Sequence, residues 1–385
     1  MEVSLPVGAG LEQFTARSRE KLAVLFAECQ MKAARYEGKP FVLYSKHLES
    51  NYGRAYAAFI RYLRGLGVLH IVPYRNGLDY FEKHSRQFVV KPWGGGFERV
   101  RISKAVQAQM KQRRSVQADE LCAAIEGGAY LLKSYARLSL DTQAANSFLD
   151  GVERGLKLGE AVPFKASRNA NASPWERLQH RRLVVEWFEH GGLSWNEYTG
   201  RVFSPFTNLP SELRPFLKAE GVSRLALIDV RNSQPFVLCA LYALATNDKG
   251  PLSVAASGGF YEAVQAGCSL QRDEVKRGVL AAIYGNSMRP RSEAGRALAA
   301  TFPKLWDWIC RERVKPLHLA VRMQRAEAAW VLGVAVELAK RGAFVTSIHD
   351  AILINLEQVD EVREALAGAA FEAWGERPSF GVEAL

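Results

Sequence analysis

The sequence predicts an α+β fold: helices flanking a small antiparallel sheet, preceded by a compact basic unit of helix and strands. Three observations carry that expectation. Hydrophobic residues make up 48% and charged residues 24% of the 385, which is enough for buried cores and too apolar for a disordered chain. Short apolar runs at residues 225–230 and 344–354 stand among longer stretches of helical period. The net charge of +11 is also confined to the first third of the chain. Residues 1–118 hold 20 Lys and Arg against 9 Asp and Glu, whereas residues 119–385 hold 31 of each. A localised basic excess is the footprint of a surface that meets a polyanion, with a merely soluble basic surface as the plainer alternative.

Several classes are set aside at once. No stretch approaches ~20 consecutive apolar residues, so no transmembrane helix is expected. The opening MEVSLPVGAGLEQF lacks the basic-then-apolar order of a signal peptide. Five scattered cysteines (29, 122, 239, 268 and 310) form no CxxC pair, which argues for a reducing cytoplasm rather than a disulfide or zinc framework.

Along the chain, residues 11–37 read as an amphipathic helix through Leu11, Phe14, Leu22, Leu25 and Phe26. Residues 45–66 read as a second helix, stopped by Gly67, and VLHIVPY follows as a strand. A turn at Arg75-Asn76-Gly77 then leads to a strand over residues 85–90. Helix, glycine stop, strand, turn and strand is the order of a winged helix-turn-helix. Arg54, Arg61 and Arg64 fall on its helix, and Lys83 and Arg86 on its wing, as nucleic-acid contact requires. A helix–hairpin unit used for protein contacts is the alternative. Residues 1–100 are assigned to this basic domain, residues 101–190 to a helical, charge-mixed region, and residues 191–385 to the part that carries chemistry. Residues 158–174 are the linker candidate.

The chemistry sits in four segments after residue 199, of which the first runs from Gly200-Arg201 through Asn208-Leu209-Pro210 to Arg214. LALIDV is a buried-strand pattern ending in Asp229, and residues 344–354 read as a hairpin with His349-Asp350 at its tip. A carboxylate at the end of a buried strand is costly to desolvate unless something pairs with it, and two on one sheet suit Mg²⁺, a hard cation that prefers oxygen. The third segment is a helix with Arg272, Lys276, Leu280 and Tyr284 at successive i+4 spacings, closed by Gly285. Two cations one turn apart suit a triphosphate, and an apolar residue followed by a tyrosine suits a base or sugar. A strand-end cap for either Asp, and a solvated helix face, are the bland readings. They leave the ordered change from cationic to apolar to aromatic unexplained.

In order and spacing these segments resemble the palm and fingers of family A DNA polymerases and of the related single-subunit, phage-type RNA polymerases, over roughly residues 195–385. Asp229 resembles the motif A aspartate, R-x3-K-x3-L-x3-Y-G from Arg272 to Gly285 resembles motif B, and His349-Asp350 resembles motif C. Gln324 resembles the glutamine that touches the primer end, and the stretch from Gly200 to Arg214, with Asn208 and Arg214, resembles the template–primer segment. The resemblance implies a right-hand polymerase with an antiparallel palm sheet, helical fingers, and a thumb over residues 101–190. It further implies two Mg²⁺ ions (or Mn²⁺) on Asp229 and Asp350, Lys276 protonating the departing pyrophosphate, and Gln234 beside the sugar. Three positions depart from the DNA enzymes: Ala351 where they carry Glu, Gln234 where they carry a bulky Glu, and Leu280 where Phe is usual. No carboxylate pair of a 3′–5′ exonuclease precedes the region. The expected activity is therefore exonuclease-free, template-directed addition of dNTP or NTP to a 3′-hydroxyl, as in plasmid or phage replication. DNA template and primer, or RNA, would be its partners. DNA synthesis is the first reading. An RNA polymerase or primase, or a non-catalytic nucleic-acid-binding regulator, is the alternative.

Overall fold

The computed structural model describes all residues except 1, 36–39, 44–47, 50–51, 73–86, 92–94, 162, 165–172, 189–192, 286, 316 and 349–350. It is a mixed α+β chain with small antiparallel sheets. Two compact units emerge. One comprises Met1–Val116, Thr142–His190 and Asn208–Arg214; the other comprises Gln117–Asp141, Gly191–Thr207 and Pro215–Leu385. The segment 101–190, expected as one region, contributes to both.

The first unit opens with β1 (Glu2–Pro6), a 3₁₀ turn at Leu11–Gln13 and α1 (Ala16–Arg35). There follow β2 (Phe41–Val42), α2 (Tyr56–Gly65), β3 (Leu69–Val72), β4 (Gln87–Val90), β5 (Phe97–Arg101) and α3 (Lys104–Ala124), of which the part from Gln117 belongs to the second unit. Three strands form an antiparallel sheet in the order β2-β4-β3, with Leu69 opposite Val90 and Phe41 opposite Phe88. The helix expected over residues 45–66 is interrupted: Leu48, Glu49 and Tyr52 are helical, and so are Tyr56–Gly65. Gly53 sits at φ +66° and starts a 3₁₀ turn, Gly53–Ala55, ahead of α2, because that backbone conformation cannot continue a helix. Its end matches the sequence reading. Gly67 at φ +72° lets its N–H reach Arg64 O (2.9 Å) and the next N–H, of Val68, reach Leu63 O (3.1 Å), the Schellman pattern.

The core of this unit gathers Leu22, Leu25 and Phe26 of α1 with Phe41, Phe59, Leu63, Leu69 and Phe88, all buried. Phe14 meets Phe59 and Tyr62 edge-on at centroid distances of 5.6 and 5.5 Å. Arg54, Ala57, Arg61 and Arg64 remain exposed at 3- and 4-residue spacings, so they share one face. No carboxylate among the described residues pairs with these arginines. Lys83, Arg86 and the turn at 75–77 lie outside the described residues.

Next in the chain come α4 (Gly128–Ala136) and β6 (Leu138–Leu140) of the second unit, then α5 (Thr142–Lys157) and α6 (Pro174–Trp187) of the first. A capping box between Ser173 and Glu176, with Pro174 at the first helical position, starts α6. On α6, Arg181 pairs with Glu212 at 2.5 Å and lies over the Phe164 ring at 4.4 Å. Most of the expected linker at 158–174 lies outside the described residues.

The second unit contains the hairpin β7 (Ser194–Asn196) and β8 (Arg201–Phe203), then β9 (Leu217–Ala219), which pairs with β6, and β10 (Leu225–Val230). A helical stretch follows: α7 (Ser233–Thr246), α8 (Gly250–Ala256), α9 (Phe260–Gln265), α10 (Arg272–Tyr284), α11 (Glu293–Thr301), α12 (Pro303–Arg313) and α13 (Leu319–Lys340). The chain closes with β11 (Val345–Ile348), β12 (Ala351–Asn355), α14 (Val359–Trp374) and β13 (Phe380–Ala384). Strands β11-β12-β10-β13 form one antiparallel sheet. Leu225 to Ile228 are all buried, so β10 is covered on both faces, which explains its unalternating apolar run. Over it Phe236, Trp330 and Trp374 pack as a triangle with centroids 5.3–5.8 Å apart. Helices α10 and α11 approach through small residues: a Cβ on Gly278 would lie 2.6 Å from Ala294 Cβ. Among the described residues no helix is long and apolar enough to cross a membrane.

Candidate active site

Asp229 is the only exposed residue of β10. Its register partners are Ala351 on β12 and Gly381 on β13, and opposed residues of an antiparallel pair project from the same face. The carboxylate therefore stands between two neighbours too small to crowd it. Beyond Val230 the chain reverses. The Arg231 N–H donates to Ser379 O (2.9 Å), Asn232 takes the left-handed conformation (φ 55°), and its Nδ2 donates to Gly258 O at 2.5 Å. That side-chain bond holds a conformation that asparagine tolerates better than most residues. Ser233 and Gln234 then form the first turn of α7.

Helix α10 presents the face that its sequence spacing predicts. Val275, Val279 and Ile283 are buried, while Arg272 and Lys276 are exposed and Leu280 and Tyr284 half-buried. A capping box between Gln271 and Glu274 starts the helix. Arg272 Nε donates to Glu262 Oε1 at 2.6 Å and lies over the Tyr261 ring, and the Glu262 hydrogen bond raises its pKa above the ordinary guanidinium value. Gly285 closes α10 because a Cβ there would sit 2.7 Å from Ala281 O. The close approach expected at this glycine is thus made by the helix's own backbone. Arg313, on α12, donates to Ala282 O and Ser287 O and so holds the carbonyl end of α10.

The strand turn and the helix are joined by a chain of hydrogen bonds. Tyr284 OH donates to Gln234 Oε1, and Gln234 Nε2 donates to Glu327 Oε1. Glu327, on α13, is fully buried. Its Oε1 also accepts from Ser233 Oγ at 2.6 Å, and its Oε2 accepts from Arg201 Nη2 of β8. A buried carboxylate is tolerable only when paired and hydrogen-bonded, and this one has both forms of compensation.

No family model matches the chain, and no curated protein matches it. Among solved structures, the POL domain of Pol1 from M. smegmatis, in complex with DNA primer-template and dNTP, aligns over 74% of this chain and 73% of that chain. The identity is 13% and the TM-score 0.43. At that level the chemistry of the site itself, not the neighbour, decides what the chain can do.

Of the residues singled out by sequence, Gln234 and Tyr284 are brought into direct contact, and Asp229 lies five residues before Gln234 across the same turn. Gln324 is half-buried on α13, three residues before Glu327. Arg214 is half-buried in the first unit, within the 3₁₀ turn Ser211–Phe216, and Asn208 ends the turn Phe206–Asn208. His349 and Asp350 lie outside the described residues, although Ala351, the next residue, is Asp229's register partner. Among the described residues no three His, Cys, Asp or Glu side chains gather around one point. An exposed carboxylate whose register partners are Ala351 and Gly381 nonetheless offers the hard oxygen donors that Mg²⁺ prefers. Glu327 was not among the expected site residues, and Arg201 entered only as part of the stretch from Gly200 to Arg214. The available signal was a carboxylate at i+4 from Met323 and i−4 from Val331, inside a fully buried stripe.

Proposed function

We propose that this chain is a template-directed nucleotidyltransferase, with palm, fingers and thumb in the arrangement its motifs suggest. The reading is carried by one observation: the Tyr284–Gln234 hydrogen bond ties the end of the cationic helix α10 to the turn that leaves Asp229. A metal-binding carboxylate and a triphosphate-binding face must converge in such an enzyme, and this link holds their two elements together. Asp229, together with Asp350, would hold the divalent ions. When bound, these would lower the pKa of an attacking 3′-hydroxyl and offset charge at the α-phosphorus.

The chain's own residues do the rest. Arg272 now engages Glu262 through side chains that are both about half exposed, a pairing worth about 0–1 kcal/mol, so a triphosphate displaces Glu262 at little cost. Lys276, one turn on, adds a point charge and a proton source for the departing pyrophosphate. Leu280 and Tyr284 would pack against base and sugar, with Gln234 beside the sugar and Gly285 at the base edge. Gln324, His349, Asn208 and Arg214 would contact template and primer. The strand order β2-β4-β3 and the exposed arginine face of α2 support a winged-helix reading of the N-terminal region, with Arg54, Arg61 and Arg64 toward a nucleic-acid groove and Lys83 and Arg86 on the wing.

The test is nucleotide incorporation with Mg²⁺ on primed and unprimed single strands, comparing dNTPs with NTPs. Incorporation is expected, and Asp229→Asn should abolish it. A chain that shifts template mobility yet incorporates neither nucleotide set is a regulator, and the catalytic reading then falls.

A further inference from the structure

The relay that ends at Tyr284 has a direction. An ionised carboxylate only accepts hydrogen bonds. Glu327 therefore forces Gln234 to turn its amide nitrogen inward, and the amide oxygen is left to face Tyr284. Tyr284 must in turn donate to that oxygen, which leaves its phenolic oxygen with lone pairs only. We infer that Glu327 is a positioning residue of the nucleotide site: by fixing the polarity of the Gln234–Tyr284 pair, it makes Tyr284 an acceptor toward the substrate sugar and so sets discrimination between ribo- and deoxyribonucleotides. This rests on the nucleotidyltransferase reading above.

The placement of the residues supports the assignment. Glu327 is fully buried, so it acts on substrate only through others. Gln234 and Tyr284 are half-buried and stand at the exposed end of the relay. Arg201 neutralises the carboxylate from the far side, with its side chain only 17% exposed, so the anchoring charge is shielded from solvent and salt. Ser233, the residue before Gln234, donates to the same oxygen and keeps the first turn of α7 in register with the carboxylate. A neutral amide at position 327 could accept from Arg201 or orient Gln234, yet it would no longer dictate which end of the Gln234 amide faces Tyr284.

The experiment measures kcat and KM for dNTP and NTP incorporation by the full chain as wild type, Glu327→Gln, Glu327→Asp and the swapped pair Glu327→Gln with Gln234→Glu. The swap keeps total charge and rebuilds the same polarity. The amide now at position 327 would accept from Arg201 and donate to the carboxylate now at position 234, and that carboxylate would accept from Tyr284. Glu327→Gln is expected to move the ratio of the two kcat/KM values toward one by about tenfold, mainly through KM, and the swap to return it to within about threefold of wild type. Glu327→Asp keeps the buried charge on Arg201 but withdraws it from Gln234, so it should shift the ratio in the same direction. It serves as the test if Glu327→Gln does not fold. Folded Glu327 variants that keep the wild-type ratio, or a swap that behaves like Glu327→Gln, overturn the assignment while leaving the polymerase reading intact. A wild-type chain that incorporates neither nucleotide set overturns both.

Discussion

Replacing a helical glycine by alanine ordinarily stabilises a protein by up to ~1 kcal/mol, because alanine has the higher helix propensity. The structure predicts opposite outcomes at two such glycines. On α13, Gly333 is exposed and a Cβ there meets nothing within 4 Å, so Gly333→Ala should stabilise by about 0.5–1 kcal/mol. On α10, a Cβ at Gly278 would lie 2.6 Å from Ala294 Cβ, whereas carbon atoms in good contact sit about 3.5–4.0 Å apart. Helices α10 and α11 must then part by about 1 Å along that contact. Overpacking of this kind costs about 1–3 kcal/mol, which outweighs the propensity gain and leaves Gly278→Ala about 0–2 kcal/mol less stable than wild type. Both values are read from urea unfolding followed by circular dichroism, at constant m-value. Stabilisation of Gly278→Ala by as much as Gly333→Ala would refute the close helix crossing.

Three further outcomes are expected. Asp229→Asn should lower the rate of incorporation by several orders of magnitude while leaving template affinity in a mobility-shift assay unchanged or improved, because charge stabilisation at the reacting phosphorus is lost and repulsion of the backbone is relieved. Arg61→Ala and Arg64→Ala should each weaken nucleic-acid binding across sequences and reduce the slope of log K against log salt by about 0.7–0.9, the signature of one lost phosphate contact. Burial opposes ionisation of Glu212, yet a hydrogen bond from its own backbone N–H and the hydrogen bond and charge of Arg181 together hold its carboxyl below the ordinary 4.5. A depressed folded-state pKa stabilises above the unfolded value, so the stability gap between wild type and Arg181→Met should be open at pH 7. It should close as pH falls below 4.5 and through the folded-state value; a gap that stays constant would exclude the linkage.

Much of the candidate site is written in local sequence. LALIDV announces a strand buried on both faces and ended by a carboxylate, because no alternation is needed where both faces are covered. The i+4 series on α10 announces its half-exposed face because Val275, Val279 and Ile283 fill the other. What local pattern could not supply is pairing across long stretches of chain. The 380–384 segment, half-exposed to exposed along its length, carries no strong strand signal and owes its conformation to hydrogen bonding with β10. Glu327 looks like an interruption of a buried stripe until Arg201, Ser233 and Gln234 arrive from elsewhere in the chain. Arg272 reads as a free cation until Glu262, ten residues earlier on α9, is brought beside it. The break at Gly53 was hidden because the apolar spacing of residues 48–63 continues through it and only its positive φ reveals the bend.

The enclosure of β10 also bears on how the chain is made. Its two flanking strands, β12 and β13, are both encoded more than a hundred residues after Val230. At a translation speed of about 5–20 residues per second, Leu225–Ile228 emerges from the ribosome on the order of ten seconds before either flanking strand exists. During that interval a strand destined for burial on both faces is an unpaired apolar edge. Asp229, the charge at its tip, is the kind of flanking residue that discourages such an edge from pairing with another chain.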